Sequence, residues 1–139
     1  MAAAAVAMWL ITLSAFDIRH RRLPDALTIP GALAVVCGAL ASERGWAAFA
    51  GAAALFALYL LVHLAVPAGL GAGDVKLAPG LGALAGAFGV DVWTLAAVAA
   101  PLLTGLWALI AVAAGRRDPI PHGPAMCAAT AGAVALAWL

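Results

Sequence analysis

The stretch from Trp46 to Val66, WAAFAGAAALFALYLLVHLAV, contains no Asp, Glu, Lys or Arg. A helix needs about 20 predominantly apolar residues to cross the hydrocarbon core of a bilayer, where every backbone polar group must find its partner inside the segment. This run meets both demands, so it predicts a transmembrane helix. Five further apolar runs bounded by charge, Gly or Pro lie on either side of it, at 2–17, 27–42, 75–90, 92–114 and 121–139. The first, second and fourth spans are short, and local bilayer thinning can accommodate them. The expected fold class is therefore all-α, a polytopic membrane helix bundle of about six transmembrane helices, with residues 1–139 as a single transmembrane domain.

Composition points the same way. Hydrophobic residues make up 67% of the chain and charged residues 9%, and the mean hydropathy is +1.12. These values lie far from soluble usage and exclude a soluble globular reading. A net charge of +1, with basic residues in short clusters between apolar runs, gives no nucleic-acid footprint. Membrane lipid is the expected surrounding. Cys37 and Cys127 lack any CxxC or Cys/His spacing, so neither a metal site nor a disulfide is expected, and both read as small buried residues. No cofactor is implied. The apolar start, AAAAVAMWLITLSAF at 2–16, has its basic cluster after it and no positive region before it, so a retained first helix fits better than a cleaved signal.

The connections between runs alternate between the two membrane faces. Arg19, Arg21, Arg22, Lys76, Arg116 and Arg117 then fall on one face, leaving only Arg44 on the other. By the positive-inside rule that basic face is cytoplasmic, which puts both termini outside. The run GLGALAGAFG at 80–89 offers small-xxx-small faces for close helix packing.

Acids at membrane depth cost about 2.5 to 3.5 kcal/mol on insertion scales, so each of them requires an account. Glu43, Asp91 and Asp118 lie in short connections where water solvates them. Asp17 closes the first span, at the helix end that disfavours a carboxylate, so its ordinary explanation is an ion pair with Arg19, Arg21 or Arg22. Asp74 follows Gly69-Leu70-Gly71-Ala72-Gly73, and Asp25 follows Pro24; N-capping is the ordinary reading of both. Topology adds a further reading. Two spans separate Asp17 from Asp74, so both return to the same face and can converge. Two facing carboxylates hold one proton between them. In that state the ionised acid can take a proton from water while the protonated one polarises a peptide carbonyl.

No covalent nucleophile competes with that chemistry. His20, His63 and His122 lie in three different regions, and Ser14 and Ser42 have no evident base. His63 reads as a satisfied packing residue. Gly71 and Gly73 would let a substrate strand approach the backbone beside Asp74. Lys76 either tunes the charge of the site or snorkels as a cytoplasmic anchor.

At these residues the sequence resembles the prepilin peptidase family, the bacterial type IV leader peptidases and their archaeal preflagellin relatives, which are GxGD membrane aspartyl proteases. Asp17-Ile18-Arg19-His20-Arg21-Arg22-Leu23-Pro24-Asp25 resembles the first catalytic segment of the family. Gly71-Ala72-Gly73-Asp74-Val75-Lys76-Leu77 matches GxGDxKL, and Ile120-Pro121-His122-Gly123-Pro124 resembles the later IPxGP element. The resemblance implies that Asp17 and Asp74 are the catalytic pair, and that Pro24, Asp25, Gly71, Gly73, Lys76, Gly123 and Pro124 shape the site or bind substrate. It further implies a prepilin-like precursor as substrate and partner, cut at the cytoplasmic face of the bacterial inner membrane before its apolar N-terminal helix, commonly after Gly. His122 departs from the aromatic or aliphatic residue common at that place. The cytoplasmic cysteine-rich region of long members is missing, so N-methyltransferase activity is not expected, and the compact form is closer to the peptidases of tight-adherence or Flp-type pili.

Two other classes compete. A small ion-coupled membrane transporter would place its carboxylates at the bilayer midplane, whereas Asp17 and Asp74 stand at span ends. A non-catalytic pilus-assembly membrane subunit would not need to retain both acids.

Overall fold

The computed structural model describes residues 2–138 as an all-helical chain. Six helices follow one another: α1 Ala2–His20, α2 Asp25–Leu40, α3 Gly45–Ala65, α4 Ala72–Gly86, α5 Val90–Ala113 and α6 Gly123–Leu136. Each expected span overlaps one of them; Leu139, the last residue of the sixth expected run, lies outside the described residues, as does Met1. Two boundaries differ from expectation in a way that matters. The first helix continues to His20, so Asp17 stands inside its final turn, and α4 begins at Ala72, so Asp74 stands inside the first turn of that helix.

Helices α1, α3 and α5, of 19, 21 and 24 residues, are long and apolar enough to cross a membrane. They turn large apolar side chains outward, among them Met8, Ile11, Leu61, Leu102 and Leu109. Such a surface would be a liability in water, but it is the ordinary outer face of a bundle in lipid. Cys37 is likewise exposed, against the expectation of a buried residue, whereas Cys127 is buried.

The centre of the bundle is α4, enclosed by α3, α2, α6 and α5, with α1 resting on α6 and α2. Almost all of it from Leu77 to Gly86 is buried, although it spans only 15 residues. Lipid tails are as apolar as leucine, so close backbone approach and dispersion, more than hydrophobic burial, hold helices together here. The sequence supplies the means. A Cβ on Gly82 would fall 2.8 Å from the Leu55 Cβ, and one on Gly86 would fall 2.7 Å from the Ala47 carbonyl oxygen. Only glycine lets α3 and α4 come this near. Around this seam, Leu13, Leu77, Leu81 and Met126 fill the interior. Indole N–H groups tie the outer helices on, Trp9 donating to the Leu27 carbonyl at 2.9 Å and Trp93 to the Gly51 carbonyl at 3.0 Å.

The connections bring one end of the bundle together. Arg21, at φ 49°, turns the chain out of α1, and its amide still bonds the Asp17 carbonyl at 2.8 Å. His63 Nδ1 meets the Leu70 carbonyl at 2.7 Å and closes the turn between α3 and α4, in keeping with a satisfied packing role. Gly89, at φ 118°, adopts a conformation open to glycine and permits the tight passage into α5.

Candidate active site

Asp17 is only 7% exposed and Asp74 8%. The ion pair that local sequence suggests for Asp17 is not formed: among the described residues the one salt bridge joins Lys76 to Asp25. Asp17 turns inward instead, and its Oδ2 accepts a hydrogen bond from the Gly123 amide at 3.0 Å. This is possible because α6 begins at Gly123, where the first amides of a helix have no partner within it. Glycine is required there, since a Cβ at 123 would fall 2.5 Å from the same oxygen.

Asp74 does not act as an N-cap. Gly71 holds that position, and Asp74 comes three residues later with its carboxylate beside the Gly71 backbone amide. The helix start favours negative charge at this point, so the residue suits the fold without being spent on it. Both aspartates line one cleft of about 530 Å³, and Asp17 acts electrostatically on Asp74. The segments Arg21 to Leu23, Pro67 to Gly69, Gly71 to Gly73 and Pro119 to His122 complete the wall, with Lys76 at the edge.

Gly71 and Gly73 are not jammed. Side chains added there would meet Asp74 Oδ2 at 3.5 Å and Leu23 Cβ at 3.6 Å, which are ordinary contacts. Asp25 is the first residue of α2 and not its cap, because Pro24 takes that place and its carbonyl receives the Leu27 and Thr28 amides. The Asp25 carboxylate bonds the Lys76 ammonium at 2.8 Å, with the two side chains 58% and 51% exposed. Pro24, Asp25, Gly123 and Pro124 do not line the cleft; Pro124 stiffens the start of α6.

Sequence reasoning noted His122 only as a departure from the family pattern and missed its two polar partners, Tyr59 and Thr104. His122 Nε2 lies 2.9 Å from the Tyr59 hydroxyl, and its Nδ1 lies 2.6 Å from Thr104 Oγ1. A signal was available. Tyr59 is the single tyrosine of the chain, set in an apolar run where its hydroxyl needs a polar partner. His122 also borders a second, mostly apolar cavity of about 560 Å³ between α3 and α5, which reaches Leu58, Val62 and Pro101.

A sequence model described as the type IV leader peptidase family matches residues 4–115. The prepilin leader peptidase/N-methyltransferase of Xanthomonas campestris pv. campestris is 31% identical over 144 residues, covering 98% of this chain and 49% of that protein. The protein of the same description from Stutzerimonas stutzeri is 35% identical over 136 residues, covering 93% and 46%. The one from Burkholderia pseudomallei is 35% identical over 138 residues, covering 92% and 44%. The chain thus spans about half the length of the curated relatives it matches. No solved structure matches it.

Proposed function

This chain belongs to the type IV leader peptidase family, and we propose on that premise that it is a membrane aspartyl endopeptidase that removes the leader peptide of prepilin-like precursors. The observation that carries the reading is the convergence of Asp17 and Asp74, two buried acids from different helices, on one cleft. Two carboxylates confined together cannot both stay ionised, so the pair keeps one proton. The ionised member removes a proton from water as the oxygen adds to the peptide carbonyl carbon. The protonated member donates to the carbonyl oxygen, and the tetrahedral intermediate then breaks its C–N bond as the leaving nitrogen gains a proton. Both acids are needed in opposite states, and neither forms a covalent bond to substrate.

Burial serves this chemistry. A carboxylate solvated in an open loop would share no proton with a partner, whereas in a recessed cleft each charge acts strongly on the other. Arg21, Arg22 and Lys76 border the same opening, so the positive-inside rule supports a cytoplasmic site in a multi-pass inner-membrane protein with both termini outside. An apolar helix lying in the bilayer, with its leader emerging at that face, would present the bond between them at the level of the cleft.

The test is co-expression with a precursor that carries a basic leader ending in Gly before an apolar helix, read by gel shift. Asp17→Asn and Asp74→Asn should each reduce processing by about 10²- to 10⁴-fold, with membrane insertion unchanged. Normal processing by either variant would overturn the two-acid mechanism.

A further inference from the structure

The proposed chemistry makes no use of the polar side chains of Tyr59, His122 and Thr104, yet they meet directly behind it. Tyr59 comes from α3, Thr104 from α5 and His122 from the residue before α6. The protons of this cluster can be placed by elimination. Thr104 Oγ1 donates to the Ala100 carbonyl at 3.1 Å, and a hydroxyl has only one proton to give. The 2.6 Å contact between Thr104 Oγ1 and His122 Nδ1 must then be donated by an Nδ1–H. In a neutral ring that leaves Nε2 bare, free to accept the Tyr59 hydroxyl at 2.9 Å. The reverse order would leave the phenol proton of a buried tyrosine without an acceptor among the described residues.

This chain ends where the aspartate pair begins. Gly123, whose amide bonds Asp17 Oδ2, follows His122 directly, and the His122 carbonyl receives the Met126 amide at 3.1 Å as α6 starts. Clamping the His122 ring between α3 and α5 therefore fixes the peptide plane that aims at Asp17. Nothing else in the Pro119 to His122 wall anchors that amide with a side-chain hydrogen bond among the described residues.

We propose that Tyr59, His122 and Thr104 form a one-way hydrogen-bond chain whose purpose is to hold the Gly123 amide on Asp17, making His122 a positioning residue for the carboxylate pair. The inference rests on the peptidase reading above. Its physical content is that misplacing a reacting carboxylate by about 1 Å lowers the rate of chemistry by up to about a hundredfold while substrate binding is little changed.

The decisive experiment uses the full chain, purified in detergent, with a precursor bearing a basic leader, Gly and an apolar helix. Histidine ¹⁵N labelling should show, besides the His63 ring whose Nδ1–H donates to the Leu70 carbonyl, a neutral ring carrying its proton on Nδ1 that vanishes in His122→Phe. Finding that the signal lost in His122→Phe belongs to a ring protonated on Nε2, or to one charged at neutral pH, would overturn the chain as drawn. In turnover, His122→Phe should lower kcat between about tenfold and a hundredfold and leave KM within about threefold. Tyr59→Phe should lower kcat less, and should add nothing once His122 is already Phe. A His122→Phe protein with the parental kcat, or additive losses in the double variant, would sink the proposal. Asp17→Asn separates the two readings. If it is inactive while His122→Phe is fully active, only the positioning role fails; if Asp17→Asn still processes, the peptidase mechanism itself fails.

Discussion

The two ends of α4 are both rich in glycine, for opposite reasons. At the buried end, Gly82 and Gly86 face α3 so closely that any side chain would strike Leu55 or the Ala47 carbonyl. At the open end, Gly71 and Gly73 stand beside the cleft, with room for a methyl group that the protein leaves unused. The first pair satisfies the molecule's own packing. The second keeps clear a space in which something else can lie. One helix thus combines a closed seam that fixes its place with an accessible end that carries Asp74, and the same residue type permits close packing at one end and leaves room at the other.

That contrast can be tested by adding single methyl groups. The largest effect should come from Gly123→Ala, where the new Cβ would sit 2.5 Å from Asp17 Oδ2 and drive the carboxylate out of place. Processing should fall by about a hundredfold, and the gel-shift assay should show this without loss of the inserted protein. Next, Gly82→Ala should destabilise the bundle by about 1 to 3 kcal/mol, as overpacking does, measured as the lowered midpoint of unfolding in mixed micelles. Gly71→Ala and Gly73→Ala should behave differently. Stability should stay within about 1 kcal/mol of the parent, while KM for the precursor rises severalfold. Full processing efficiency in both would mean that the free space at this end has no occupant, and the contrast would collapse. The smallest effect should come from Asp25→Asn. Its exposed pair with Lys76 should contribute no more than about 1 kcal/mol, visible in thermal unfolding and not in kcat. A properly inserted but inactive Asp25→Asn protein would move that residue into the chemistry.

Much of this arrangement was legible in the sequence, through effects that act over long runs. Six apolar stretches bounded by charge become the six helices, because the demand for internal backbone pairing in lipid depends on composition more than on detail. The pairing of Asp17 with Asp74 followed from parity, since two intervening helices return the chain to the same end. What escaped depends on single turns. Asp25 has the local look of a cap, but Pro24 occupies that position. Asp17 has three arginines close by in the chain, yet it prefers a backbone amide from a residue 106 positions away. The link from Tyr59 through His122 to Thr104 joins three helices by hydrogen bonds, and no periodicity along any one of them announces it.

The enclosure of α4 has a consequence for biogenesis. This helix carries Asp74 and Lys76 within its first turns and is among the shorter ones, so on its own it would partition poorly into a bilayer. Its glycine seam fits α3, which precedes it directly and is apolar enough to enter alone. The two are therefore suited to be delivered as a hairpin, with α3 guiding its less lipophilic neighbour past the headgroups. In a shortened chain that stops after α4, with Cys37 replaced and a single cysteine introduced into α4, that cysteine should already be protected from aqueous thiol reagents in the absence of α5 and α6.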